Sequence, residues 1–215
     1  MDVQQMVDAL DHVEISIHVG RTLFDGSEDL SHPATWFGQA IIEAESFPDE
    51  LSVPVKVSGC RIGGRTFNLR EALDAPSVDT AWFLPLLDDA DEPEEELGLI
   101  EPWGDLLLVD RASTHPAWQH LGGIGRYLIG LILREITDGI GAVVLHAHPY
   151  QYAHSGTDDE IRAGEAKLLE VWESLGFKRF RDTQIMTLDP HSTALDDAIN
   201  ELREAVRTHR HRGEP

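Results

Sequence analysis

Gly122-Gly123-Ile124-Gly125-Arg126 is the stretch of this sequence best suited to chemistry. It follows an apolar run, Asp105 to Ala112 (DLLLVDRA), and opens an amphipathic one, Ile124 to Thr137 (IGRYLIGLILREIT). A strand, a glycine-rich turn and a helix are the natural reading. The first N–H groups of a helix have no intrahelical acceptor, and the dipole is positive there, so a pyrophosphate suits the junction. Glycines allow positive φ and let the backbone approach a phosphate closely. Arg126, one residue inside the helix, can add a charge-assisted contact. The dinucleotide fingerprint G-x-G-x-x-G is not completed, because Leu128 stands where the third glycine would. The GxxxxGK[ST] loop is missing too, so nicotinamide and nucleoside-triphosphate chemistry lose their main support.

Other groupings carry less. His146-Ala-His148 puts two imidazoles on one face of a strand, a spacing that metal sites use. Pocket-lining histidines are the preferred reading, and no metal is assigned. Ser113, His115 and Asp110 could compose a nucleophilic triad, but no G-x-S-x-G elbow supports it. Cys60 is the single cysteine. It excludes an internal disulfide framework or a Cys-rich zinc site and reads as a small buried hydrophobe. His209-Arg-His211 reads as part of a solvated, frayed tail.

The elements that must position these residues follow from periodicity. Val13 to Val19 (VEISIHV) alternates as a half-buried strand does. Ala34 to Ala44 is predicted to be a helix, with Trp36, Phe37, Ile41 and Ile42 inward. Leu51 to Ile62 alternates again. Gly63-Gly64 signals a hairpin, with Arg65 to Leu69 as its returning strand. Val78 to Leu87 reads as a short helix with Trp82 and Phe83 on its core face, and Asp88 to Glu96 as a solvated acidic loop. After the glycine turn, the helix has apolar positions at 124, 128, 129, 132, 133 and 136 and is ended by Gly139 and Gly141. Ala142 to Ala147 is a second buried strand, so a βαβ unit and parallel pairing are expected. Ile161 to Leu175 forms a helix closed by Gly176, and Phe177 to Leu188 a terminal strand or hairpin. Ser192 to Thr208 forms a last helix with Leu195, Ile199, Leu202 and Val206 on one face.

Two motifs in order resemble the GCN5-related N-acetyltransferases. That family's pyrophosphate loop reads [QR]-x-x-G-x-[GA]. Here Gln119-His120-Leu121-Gly122-Gly123-Ile124-Gly125-Arg126 is similar, with one extra residue before Gly123. Trp172-Glu-Ser-Leu-Gly176-Phe177 resembles the closing helix, which in the family ends Y-x-x-x-G-F. The match spans about residues 105–188 and is closest to a group of uncharacterised bacterial members. In these, Asp110-Arg111 follows strand four, Pro149-x-Gln151 follows strand five, and Trp stands at the place of Trp172.

The resemblance implies a single α/β (α+β) domain over residues 1–190. It would hold a mixed, mostly antiparallel central sheet flanked by helices, followed by a C-terminal helix and tail over 191–215. It implies acetyl-CoA as cosubstrate, held by Gln119, His120, Leu121, Gly122, Gly123, Ile124, Gly125, Arg126 and Trp172. The N–H groups near Ser113 and Thr114 would polarise the thioester carbonyl. Asp110, with His115 second, would take the proton of the attacking amine. The family often protonates the departing thiolate with a closing-helix tyrosine. Trp172 stands there instead, and its indole is no acid; Tyr150 or Tyr152 would have to substitute. The alternative is a CoA-binding regulatory or interaction module that has lost turnover.

Charge narrows the partners. The chain has 215 residues, with 17 Lys and Arg against 39 Asp and Glu, a net charge of −22. Such a field disfavours nucleic acid and anionic lipid. Residues 1–105 hold 5 basic and 23 acidic side chains; residues 106–215 hold 12 and 16. The less charged half suits an anionic cofactor, and the acidic half a cationic small-molecule or peptide amine. No secretory leader or membrane span is apparent, so the cytoplasm is expected. The last helix should pack on its own domain or on a second copy in a homodimer.

Overall fold

The computed structural model describes residues 3–20, 33–44, 47–63, 69–73, 80–91, 93–97, 104–150 and 156–212. Among these, β1 (Val13–Gly20), β2 (Ala34–Ile42), β3 (Val55–Ile62), β4 (Asp105–Thr114), β5 (Ile140–His146), β6 (Lys178–Arg179) and β7 (Ile185–Leu188) form one sheet. Its order is β1-β2-β3-β4-β5-β7-β6. Every neighbouring pair is antiparallel except β4 and β5, which are parallel. Helices α1 (Val3–Asp8), α2 (Leu69–Leu73), α3 (Ile124–Ile136), α4 (Asp158–Glu173) and α5 (Ala194–Arg212) surround it, with a 3-10 turn at Thr80–Leu86. The fold is α+β.

The middle of the sheet is buried on both faces. Leu107 and Val109 of β4, with Val143 and Leu145 of β5, join a first cluster containing Leu128, Ile132 and Leu133 of α3 and Ile199 of α5. The intervening residues, Leu106, Leu108, Ala142 and Val144, join a second cluster with Leu73, Phe83 and Leu86. Period-2 alternation on a sheet covered on both sides gives this division and the near-continuous apolar run of β4 and β5. All six apolar positions expected on the α3 face are buried. Leu195, Ile199, Leu202 and Val206 of α5 are buried as well, so that stripe is covered within the chain. No helix among the described residues is long and apolar enough to cross a membrane.

Four expectations change. Ala34–Ile42 is strand β2, not a helix; Ala34, Trp36, Gly38, Ala40 and Ile42 alternate inward, and Phe37 lies on the opposite face. Pairing with β1 and β3 on both edges supplies what local periodicity did not indicate. The expected return strand, Arg65 to Leu69, lies outside the described residues over 65–68, while its last residue, Leu69, begins α2. Both edges of β3 are already taken by β2 and β4, so no hairpin partner fits there. Trp82 is 47% exposed rather than in the core, because a 3-10 turn eclipses residues three apart and buries only part of its circumference. The C-terminal tail stays helical through Arg212, carried on by the packed stripe of α5.

Candidate functional site

β4 and β5 pair in parallel only as far as Val109 and Leu145. β5 ends one residue later, while β4 continues beside β3 to Thr114. The two strands therefore part, and the backbone of β4 beyond Val109 loses its neighbour on that side. A bulge sits at the parting point: Val109 faces Gly59 and Arg111 faces Ser58, leaving Asp110 as the extra residue. A bulge re-aims the side chains that follow it. Before it, odd-numbered residues face the first cluster; after it, Ala112 does. The Asp110 charge is felt on the second face, where it adds to burial in pushing the Cys60 thiol up to about 12.

The glycine loop lies at the far end of β4 on the first face. Trp118 anchors it: its ring is buried and its Nε1 donates to the Leu51 carbonyl at 3.0 Å. Gln119 Nε2 donates to the Thr114 carbonyl at 3.0 Å, and the His115 N–H donates to the Pro54 carbonyl at 2.8 Å. His120, Gly122 and Gly123 adopt left-handed φ of 64°, 60° and 93°. A Cβ on Gly125 would stand 2.6 Å from Thr114 Oγ1, so only glycine lets the helix start this close to β4. Gly123 is the N-cap of α3 and has no side chain to cap it, and the first turn of α3 contains no acid. α4 is the opposite case: Thr157 and Glu160 form a capping box, with Asp158, Asp159 and Glu160 in the first turn. The Thr157 N–H and hydroxyl both donate to Glu160 and hold its carboxyl below the usual range. One helix satisfies its own N-terminus; the other leaves backbone donors for an outside anion. Arg126 turns toward α4, with Nη1 donating to Ser174 Oγ at 3.0 Å, while its Nη2 lies beside Gly123.

A second group fills the mouth between β4 and the chain beyond β5. Trp82 stacks on His146, with centroids 4.7 Å apart and planes at 13°. His146 stacks on His148 at 5.7 Å. Tyr150 meets His148 edge-on at 5.7 Å, and the Arg111 guanidinium lies over the Tyr150 ring at 5.7 Å. His148 Nδ1 faces Glu165 Oε1 of α4 at 3.5 Å. This group joins β4, the end of β5, α4 and the 3-10 turn.

Gln119 through Arg126 are thus together, and Ser113 and Thr114 lead into them. Leu121 is half-buried against the first cluster. His115 accepts the Ala117 N–H at Nδ1, which ties that imidazole to its own turn. Trp172 is a core residue, 6% exposed, edge-on to Phe177 at 5.3 Å. Tyr152 lies outside the described residues. Arg111, Trp118 and Glu165 were given no role in the site by the sequence, and Trp82 was read chiefly as core, with a wall of the acceptor pocket as the alternative. The alternation His146-Ala-His148-Pro-Tyr150 hinted at a shared face, but Glu165 becomes its neighbour only through the packing of α4. No protein-family model and no curated protein sequence matches the chain.

Proposed function

We propose that this protein is an acyl-CoA-dependent N-acyltransferase of the GCN5-related type, moving acetyl from acetyl-CoA to an amine. The observation that carries the reading is the uncapped, acid-free N-terminus of α3, seated against Thr114 at the end of the strand that parts from β5. The parting of β4 from β5 at a bulge supports the reading, because it turns backbone beyond Val109 away from the sheet and toward a ligand. In a chain of net charge −22, a helix start free of carboxylates is a place where a pyrophosphate is not repelled.

On this reading the N–H groups of Gly123, Gly125 and Arg126 hold the pyrophosphate, while the Ile124 N–H closes the turn onto the Leu121 carbonyl at 3.2 Å. N–H groups of β4 beyond Val109, on the side that β5 has left, orient the thioester carbonyl and stabilise negative charge on its oxygen. The acceptor amine reaches the carbonyl from the second face, where Asp110 and the His146–His148 group are, and must lose a proton there before it attacks. The acidic composition of residues 1–105 favours a cationic amine as acceptor. The cosubstrate supplies an activated acyl group whose thiol is a good leaving group, so the burden on the protein is positioning and amine deprotonation.

The buried Trp172 favours one competing reading, a CoA-binding module without turnover, because the closing helix offers no acid to the thiolate. Thiol release from acetyl-CoA, followed with a panel of small and peptide amines, separates the two. Amine-dependent release is expected. Binding of acetyl-CoA with no release above buffer for any amine would move the regulatory reading to first place.

A further inference from the structure

The acid–base group expected from the sequence was Asp110, and the structure draws attention elsewhere. Asp110 is at the bulge and interacts electrostatically with the buried thiol of Cys60. His148 is differently placed. It is half-buried, beyond the end of β5, with its Nδ1 turned to the half-buried carboxylate of Glu165. A carboxylate on one ring nitrogen selects the tautomer that leaves the other nitrogen free to accept a proton, and stabilises the imidazolium that results. Stacking on His146 and the edge contact with Tyr150 hold the ring plane. The exposed Trp82 lies in the same stack and offers a π-face to a cation arriving at the imidazole. Arg111, reaching from β4 to Tyr150, ties this platform to the strand beyond the parting point.

We propose that His148 is the catalytic base of the amine acceptor, positioned by Glu165, with Trp82 as the docking face for a cationic primary or secondary amine. This rests on the acyltransferase reading and names the acceptor side of that site. The ammonium gives one proton to the free nitrogen of His148. The neutral amine nitrogen then attacks the thioester carbonyl carbon, so a C–N bond forms and the C–S bond breaks. Sulfur leaves with the bonding pair and takes up the second proton from nitrogen; His148 returns the first proton to solvent. Glu165 positions the ring and exchanges no proton with the substrate.

The test uses the full chain, acetyl-CoA and the best amine from the panel. His148→Gln should keep the acetyl-CoA Kd and lose about a hundredfold or more in kcat, the range for removing a general base. Exogenous imidazole should restore part of the activity of His148→Ala. Glu165→Gln should lower kcat with little change in KM, and Glu165→Asp should recover part of that loss. Trp82→Ala should instead raise KM for the amine. A His148→Gln protein with wild-type kcat, while the wild type turns over, would overturn the base assignment and leave the acyltransferase reading standing. A wild type that neither binds nor consumes acetyl-CoA would overturn both. Melting temperatures of the variants, together with the imidazole rescue, separate a lost base from a damaged fold.

Discussion

The indole of Trp36 on β2 donates a hydrogen bond to the carbonyl of Leu108 on β4, 3.1 Å away and fully buried. β3 lies between those strands, and the bond crosses it at Gly59, the residue paired with Trp36. A Cβ there would be 1.9 Å from the Leu108 oxygen and 2.9 Å from Trp36 Nε1. Gly59 also faces Val109, immediately before the Asp110 bulge, so this contact stiffens the point where β4 leaves β5.

Trp36→Phe should therefore cost about 1–3 kcal/mol, the range for leaving a buried carbonyl unsatisfied. Gly59→Ala should cost more, because its methyl meets backbone rather than a movable side chain. Urea denaturation gives both values. An unchanged midpoint for Trp36→Phe would show that the bond contributes nothing.

The Thr114–Gly125 approach gives a second prediction. Gly125→Ala should destabilise by about 1–3 kcal/mol through overpacking. Adding Thr114→Ala removes the Oγ1 and Cγ2 atoms that the new methyl would strike at 2.6 and 3.0 Å, so the double variant should regain part of the loss. Thermal denaturation of the two singles and the double checks this. Simple additivity would mean that the two residues do not meet.

The βαβ unit was legible in the sequence because its parts are unambiguous: two apolar runs, a glycine turn, and a 13-residue helix with every inward position apolar. β2 was not legible. Trp36-Phe37 and Ile41-Ile42 place apolar pairs on both parities, and only pairing with two neighbours decides the matter. The glycine turn that opens α3 could be read from its spacing. The bulge at Asp110, the anchoring of the loop by Trp118 and the approach of Glu165 to His148 could not, since each depends on a distant element: β3, the turn at Leu51, or α4.

Cys60 links the site to alkaline stability. Its thiol titrates near 9.0 when unfolded and is pushed to about 12 by burial and then by Asp110. The unfolded state then holds fewer protons than the native state as pH rises from 9 towards 12. Stability is full below pH 9 and falls through that window, with a loss of about 1.4 kcal/mol by pH 10 from this group alone. Cys60→Ala should flatten that part of the curve relative to wild type in denaturation series at pH 8, 9 and 10. At pH 8 the native thiol should resist alkylation and react fully in denaturant.

α5 carries the fourth prediction. Ile199 is fully buried, and its Cγ1 lies 2.9 Å from where a Cβ on Gly130 of α3 would stand. Ile199→Ala should cost about 2–5 kcal/mol. Truncation after Pro190 should expose the α3 face that α5 covers, lowering the melting temperature and raising the binding of a hydrophobic dye. A truncated protein with an unchanged midpoint would make α5 dispensable to the fold.

The proposed acyl-CoA site is the N-terminus of α3. Gly122 is exposed and has φ of 60°, a conformation aspartate tolerates better than most residues. Gly122→Asp thus puts a negative charge in the loop with little strain. Calorimetric titration of acetyl-CoA into the wild type and this variant is the most direct measurement. Saturable binding of one acetyl-CoA by the wild type is expected, with a loss of at least about tenfold, or 1.4 kcal/mol, in a variant that melts at the same temperature. Equal affinity in the two proteins, or no binding by the wild type, would contradict it.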